Sequence, residues 1–455
     1  MKLIKIKNKV VGEGIQYIGW SGRGWADGGP VSAGPMSSKA PSWDELSREI
    51  NINMVRMGFT MNHFLPDDLE KNSLSQSVKK GMENSCVSWA KSQDTAYSYC
   101  LNRCQELGWK MLICVNPSLN KEWQPFQLTK SSDFLQLWES FCFHLARYVD
   151  ENWPGMAGFF EITNEPDIGY FDGETSLPHY KGIRQGISPF QYSLLLESAS
   201  KGIKRALPES KVIGPGLARW NQKWIKRILK KSPSCLDGLS YHNVRGDFQD
   251  ALTLKEAKRL ISNDLSLSSD MVFNSEWAWW PFHDTDHIET ALRVARILYL
   301  QALGGAYASL YLGPAQPKNF KKGLGVLKFN PKEPDSAEKT SAFYAFNLMI
   351  RGILQGRRLR VMNPLKKLKV LALYKDSREL VITLLNSHRK EYKNVSLMLE
   401  KGIGLKENSW VKIYKFDQNQ VDYSQESQYN DLKKFNIQPK SITQFVIPIG
   451  RLKWE

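Results

Sequence analysis

Long apolar runs are missing from this chain. No stretch approaches the roughly 20 consecutive apolar residues that a membrane helix needs, so no membrane partner is expected. Residues Met1–Val10 alternate lysine with aliphatics. They therefore lack the unbroken apolar core, about 7–15 residues long, of a secretory leader. A cytoplasmic, soluble protein is expected, although a leader removed ahead of residue 1 would leave no trace here. Alternation of this kind predicts a half-exposed strand at Leu3–Val10.

Cysteine is also scarce: Cys86, Cys100, Cys104, Cys114, Cys142 and Cys235 are the only six. Cys100 and Cys104 fall four apart on a predicted helix, which could suggest half of a metal site. No matching His or Cys pair follows at finger-like spacing. Reduced, mostly buried thiols are expected, with no metal and no cofactor. The glycine-rich stretch at 21–30 lacks the G-x-G-x-x-G order and no helix opens directly after it, which argues against nucleotide binding. Low-complexity tracts and internal repeats are absent.

Acidic residues are outnumbered, 46 Asp and Glu against 62 Lys and Arg, for a net charge of +16. Such a balance invites a nucleic-acid reading. The basic residues are dispersed, however, and densest at Lys223–Lys231 and Arg357–Lys369, with no nucleic-acid-binding module around them. A solvated surface without a nucleic-acid partner is the reading adopted; an acidic glycan such as a uronide polymer is the alternative.

What is present is a globular composition, 42% hydrophobic and 24% charged, and a repeating order of elements. Short apolar runs at Ile15–Trp20, Asn53–Phe59, Lys110–Asn116, 157–163, Lys211–Gly214, Leu236–His242, Met271–Glu276 and Ala306–Leu312 alternate with helical patterns. Among the latter, Asp133–Asp150 carries Phe134, Leu137, Trp138, Phe141, Leu145 and Tyr148 at helical spacing, a core stripe. Residues 60–90 read as a long polar loop containing His63, and Lys328–Asp335 as a loop before a helix at Ala337–Leu354. Eight strand–helix units are the arithmetic of a closed (β/α)8 TIM barrel, an α/β fold of about 250 residues or more. Beyond about residue 360 the pattern becomes strands separated by turns: Leu368–Lys375, Glu379–Asn386, Asn394–Leu399, Ser409–Phe416 and Ile442–Ile447. That run predicts a C-terminal antiparallel β-sandwich. The expected division is a barrel at 11–355 and a sandwich at 356–455, joined by strand 1–10.

Two carboxylates stand out. The run Ala-Gly-Phe-Phe-Glu-Ile-Thr ends at Asn164-Glu165-Pro166, and proline cannot continue a sheet ladder because it lacks an N–H. Asn164 and Glu165 thus sit where a strand ends, the position at which parallel α/β folds bind ligands. Glu276 follows Met-Val-Phe-Asn-Ser in a similar context. Two glutamates at strand tips are what glycoside hydrolysis requires. Arg56 interrupts the apolar run at 53–59 and needs a carboxylate partner if buried; if it faces outward, it needs none. Asn116 closes its strand before Pro117 and is a candidate substrate contact, as are Tyr241 and Tyr311 near the ends of theirs. Trp20, Trp25, Trp277, Trp279 and Trp280 offer flat faces for sugar rings, and two or three of the 15 tryptophans are expected to touch sugar. Tyr170, Phe171 and His179 are candidate contacts from the loop at 167–188.

With Asn164-Glu165-Pro166 after one strand and Glu276 after another, the chain resembles the clan of retaining glycoside hydrolases built on (β/α)8 barrels. It is most similar to the family of β-xylosidases and α-L-iduronidase, with cellulase-like relatives, over residues 11–355. The resemblance implies Glu165 as acid/base, Glu276 as nucleophile and Arg56 as a brace for the nucleophile. It also implies an oligo- or polysaccharide substrate, and His242 as a substrate contact; a satisfied core histidine is the alternative. Two departures stand out: Tyr241 precedes His242 where many members place a tyrosine two residues after the histidine, and Tyr311 stands where a tryptophan often forms the sugar floor. A catalytically silent glycan-binding protein on the same barrel is the competing expectation.

Overall fold

The computed structural model describes residues 2–21, 41–61, 64, 74–84, 97–117, 132–167, 187–243, 250–263, 271–278, 287–312, 315–317, 325–330, 333–405, 410–417, 423–429, 432 and 434–450. Trp25, His63, Tyr170, Phe171, His179, Trp279 and Trp280 lie outside these residues.

Eight parallel strands close into a barrel. They are β2 (Tyr17–Ser21), β3 (Met54–Thr60), β4 (Lys110–Asn116), β5 (Phe159–Ile162), β6 (Lys211–Leu217), β7 (Gly238–Asn243), β8 (Val272–Trp277) and β9 (Ala308–Leu312). The ring is sealed where Tyr17 to Ser21 pair with Ala308 to Leu312. β5 and β8, the fourth and seventh strands of the ring, carry the two glutamates at their ends. Both faces of these strands are covered, so they read as near-continuous apolar runs. Gly19 lets β2 close tightly on β3: a Cβ there would fall 1.6 Å from the Met54 carbonyl oxygen.

Around the barrel lie helices α1 (Pro41–Glu49), α2 (Leu74–Asn84), α3 (Tyr97–Leu107), α4 (Ser132–Asn152), α5 (Pro189–Ala206), α6 (Gln222–Lys231), α7 (Asp250–Asn263), α8 (Ile288–Gly304) and α9 (Ser341–Ile353). Their ends follow local chemistry. Ser188 and Gln191 form a reciprocal capping box with Pro189 in the first turn of α5, and Asn221 caps α6. Gly305, left-handed at φ 78°, ends α8. None of the described helices is long and apolar enough to cross a membrane.

Two local expectations are corrected. The polar segment 60–90 contains α2, whose Leu74, Val78 and Met82 recur every four residues and turn inward. Residues 328–330 and 333–335 are not loop: β11 (Leu327–Asn330) and β12 (Glu333–Lys339) pair antiparallel beside β10 (Ala315–Pro317). Pro334 is tolerated because β12 is an edge strand. Helix α9 begins only after Thr340, whose hydroxyl accepts from the Phe343 N–H.

The remaining strands form one nine-stranded sheet. They are β1 (Lys2–Glu13), β13 (Arg357–Met362), β14 (Lys369–Lys375), β15 (Glu379–Asn386), β16 (Tyr392–Leu399), β17 (Trp410–Phe416), β18 (Tyr423–Gln428), β19 (Phe435–Ile437) and β20 (Ser441–Pro448), in the order β18-β17-β20-β15-β14-β13-β1-β16-β19. β1 pairs antiparallel with β13 and parallel with β16, so the sheet is antiparallel except at that seam. Six strand spacings separate β20 from β19, roughly 29 Å if the sheet were flat. Yet the rings of Phe445 and Phe435 are 5.1 Å apart. The sheet therefore folds over on itself into a sandwich around Ile4, Ile6, Leu380, Val395 and Ile447. Its outer face packs on α9: Gln444 Nε2 donates to the Leu348 carbonyl at 2.7 Å, and Arg351 lies 4.0 Å over the Tyr414 ring.

Candidate active site

Side chains inside the barrel change from apolar to polar along β2, β3, β4, β5 and β8. Tyr17, Met54, Leu112, Phe159, Ile213, Phe273 and Leu310 plug the end from which the strands start. Two residues further on the same inward-facing columns carry Arg56, Cys114 and Glu161, because side chains on one face recur every second residue. The apolar plug closes one end, and the charged layer sits above it.

Arg56 organises that layer, and each of its nitrogens has a separate partner. Nε donates to Glu161 Oε2 at 2.5 Å, Nη1 to Glu276 Oε2 at 3.1 Å and to Ser21 Oγ at 3.3 Å, and Nη2 to Asn164 Oδ1 at 2.8 Å. The Ser21 hydroxyl in turn donates to Glu276 Oε2 at 3.3 Å. Glu276 Oε2 is thus held twice, while its Oε1, buried, has no hydrogen-bond partner among the described residues. A planar guanidinium spreads its donors over three nitrogens and so spans three separated acceptors; an ammonium gathers its three donors on one nitrogen.

Burial disfavours the charge on Arg56, but the carboxyl groups of Glu161 and Glu276 beside it keep its proton above the ordinary arginine range. Burial also penalises ionised Glu161; the Arg56 and His242 charges and hydrogen bonds from Ser275 and Ser240 outweigh it, so its carboxyl stays below the usual range. Burial pushes the Cys114 thiol up to about 12, which leaves it neutral near pH 7. The guanidinium touches two carboxyl groups, those of Glu161 and Glu276.

Glu276 reaches the interior through a break in strand alternation. Phe273 and Ser275 face inward, so regular pleating would turn Glu276 outward. The register against β7 slips between the pairs Tyr241–Asn274 and His242–Glu276. With one extra residue in β8, Ser275 donates to Glu161 Oε1 at 2.6 Å while Glu276 meets Arg56. Such bulges re-aim side chains beside active sites.

Glu165 arrives differently. The backbone is left-handed at Thr163 (φ 66°) and Glu165 (φ 47°), a conformation that costs a non-glycine residue about 1–2 kcal/mol. Thr163 N–H donates to the Val115 carbonyl and Glu165 N–H to the Gly216 carbonyl, pinning the turn to both neighbouring strands. Asn116 Oδ1 accepts from the Asn164 N–H at 2.9 Å, so Asn116 holds this turn. Because Arg56 occupies Asn164 Oδ1, the amide NH2 of Asn164 is left as the donor available to a ligand. Asp167 Oδ1 accepts from Ala218 N–H, which fixes the chain after Pro166; burial foremost raises its carboxyl above the usual range.

His242 Nδ1 lies 3.0 Å from Glu165 Oε1, and its buried Nε2 has no hydrogen-bond partner among the described residues. One ligand atom each from Glu165, His242 and Glu276 lies within 4.8 Å of the others. That spacing could admit a metal ion, but Arg56 already supplies the cation that Glu276 meets.

Four candidate sugar contacts are corrected. Trp20, Trp277, Tyr311 and Tyr241 are almost fully buried on the outward faces of their strands. Trp20 stacks on Phe346 of α9 and donates from Nε1 to Ser47 of α1; Trp277 meets Tyr311 edge-on at 4.8 Å and donates to Ser309. Tyr241 packs edge-on against Trp220. The reason is pleating: Ser21 and His242 face inward, so Trp20 and Tyr241 before them face outward, and Trp277 follows inward-facing Glu276. Glu161, Ser21 and Ser275 belong to the site and were missed. Glu161 had a signal, since an acid within an apolar strand needs a cationic partner.

No family model matches the chain, and no curated protein matches it in sequence. Its fold is shared with solved structures. A GH30 endoxylanase from Clostridium papyrosolvens superposes with a TM-score of 0.66 at 14% identity, over 98% of this chain and 99% of that one. An α-L-arabinofuranosidase from Thermotoga maritima gives 0.66 at 15% identity, over 98% and 99%. A monomeric β-xylosidase from Caulobacter crescentus gives 0.63 at 12%, over 99% and 100%. At these identities the likeness is one of fold: a (β/α)8 barrel with an attached β domain.

Proposed function

We propose that the chain is a retaining glycoside hydrolase acting on a β-linked oligo- or polysaccharide, with Glu276 as nucleophile and Glu165 as acid/base. One observation carries this reading: a carboxylate oxygen of Glu165 and one of Glu276 lie within 4.8 Å of each other inside the barrel. Retaining enzymes hold their carboxyl groups about 5–5.5 Å apart, whereas inverting ones need about 6.5–9.5 Å to admit a water between them. The three solved structures carry sugar-cleaving names, which supports a carbohydrate substrate without specifying the sugar.

The geometry divides the labour. Arg56 and Ser21 hold Glu276 Oε2, so Oε1 is the oxygen that attacks the anomeric carbon. Glu165 delivers a proton to the departing glycosidic oxygen. Once Glu276 is esterified its negative charge is gone, and Glu165, now ionised, no longer faces a like charge. It then takes a proton from water, which attacks the anomeric carbon and releases Glu276. His242 orients Glu165 through Nδ1. The Asn164 amide donates to the sugar 2-hydroxyl, a bond that strengthens as positive charge develops on the ring.

Aryl β-xyloside, β-glucoside, β-galactoside, β-glucuronide and β-mannoside form the test panel. At least one should be turned over, and Glu165→Gln should abolish cleavage of a poorly activated substrate. Glu276→Gln should lose hydrolysis while still binding product sugar. Binding without turnover of any substrate would instead indicate a silent glycan-binding protein.

A further inference from the structure

Between α6 and α7, on the outer wall of the barrel, lies a groove of about 740 Å³. Each helix contributes a row at i, i+4 and i+8: Gln222, Lys226 and Lys230 from α6; Lys255, Arg259 and Asn263 from α7. Four residues of helix advance about 6 Å, so each row is roughly 12 Å long. Both helices begin at the end of the barrel that carries Glu165 and Glu276, and the groove runs away from that rim.

The four cations are exposed, and none has a carboxylate partner among the described residues. The single acid in the lining among the described residues, Glu256, accepts from Trp220 Nε1 at 2.8 Å. Leu229 and Leu260 form an apolar floor. Cations concentrated in a concave surface raise the local density of anions, and four of them at helical spacing suit an extended chain with repeated charges. Among the described residues no aromatic side chain lines the groove, so these offer no platform on which nucleic-acid bases could stack. Gln222 and Asn263 add amides able to bond hydroxyls.

We propose that this groove is a second binding site, separate from the catalytic one, for an acidic polysaccharide bearing carboxylate or sulfate groups. An anion site follows from the charges alone; the choice of a sugar chain rests on the glycosidase reading. The test uses the full chain and reads binding, so its outcome does not depend on turnover. Oligogalacturonate, dextran sulfate, neutral xylo-oligosaccharide and single-stranded DNA of matched charge are titrated at low and physiological salt. Oligogalacturonate or dextran sulfate should bind, more weakly as salt rises, and their relative affinities separate carboxylate from sulfate preference. The variant Lys226→Glu/Arg259→Glu should lose roughly tenfold or more in affinity for the acidic glycans, since contacts are removed and repulsion is added. Turnover of a small aryl glycoside, where present, should be unchanged. The proposal is overturned if neither acidic glycan binds, if the variant binds them as the parent does, if neutral oligosaccharide binds equally well, or if the DNA binds more tightly.

Discussion

Replacing Arg56 with lysine keeps one positive charge and removes the fork that distributes it. The guanidinium reaches Glu161, Glu276 and Asn164 with three different nitrogens. A single ammonium at the end of a flexible stem can meet one carboxylate well and leaves the other buried without its partner. Hydrogen bonds to charged groups are worth about 1.5–3 kcal/mol each. Losing two of the three, at the lower end of that range because the charge remains, costs about 3 kcal/mol. The nucleophile also loses its brace, and a displacement on the order of 1 Å can cost roughly 100-fold in rate. Chemical denaturation read by tryptophan fluorescence measures the first effect, and kcat/KM on a cleaved aryl glycoside the second. A variant as stable and as active as the parent would show that Arg56 neither supports the buried carboxylates nor positions Glu276.

The carboxyl of Glu161 lies below its ordinary range in the folded chain, so its stabilising contribution is present above the unfolded value of about 4.3 and is lost as pH falls through the folded value. Glu161→Gln should therefore lower stability near neutrality and flatten the acid limb of the stability profile below about pH 4; an unchanged limb would refute the charge pairing with Arg56. Trp20→Phe, which loses the bond to Ser47 and part of the stack on Phe346, should cost about 1–3 kcal/mol in stability and leave KM within twofold. A large rise in KM at unchanged stability would put Trp20 back on the sugar. Asn116→Ala removes the acceptor for the Asn164 N–H and should cost about 1–3 kcal/mol, lowering kcat more than it raises KM; a change in KM alone would contradict its place beneath the turn.

Much of the fold was legible because each level of the chain agreed with the next. Eight apolar runs alternating with amphipathic helices left a closed barrel as the economical arrangement, and the later change of pattern marked the sheet. The short or polar strands were harder. Tyr423–Gln428 shows no apolar alternation, and β12 carries a proline that only its edge position permits. At the site, Glu165 and Glu276 were visible because each interrupts an apolar run at a strand end. Glu161 lies inside one such run, marked there only by the cationic partner that a buried acid needs. The aromatic residues next to the site were misread, since proximity in sequence to an inward-facing residue places a neighbour on the opposite face. Applying the two-residue period from Ser21 and His242 would have turned Trp20 and Tyr241 outward. For Trp277 the period alone misleads, because the extra residue in β8 has no signature in Phe-Asn-Ser-Glu-Trp.

The account stands on Glu276 forming an ester with the sugar. Incubation with aryl or fluoride derivatives of 2-deoxy-2-fluoro-β-glycosides, one for each sugar in the panel, slows breakdown of that ester enough to weigh the protein and its peptides. A single sugar adduct on the peptide carrying Glu276, absent from Glu276→Gln, is the result predicted. An adduct on another residue, or none with a sugar whose parent glycoside is readily cleaved, would contradict it.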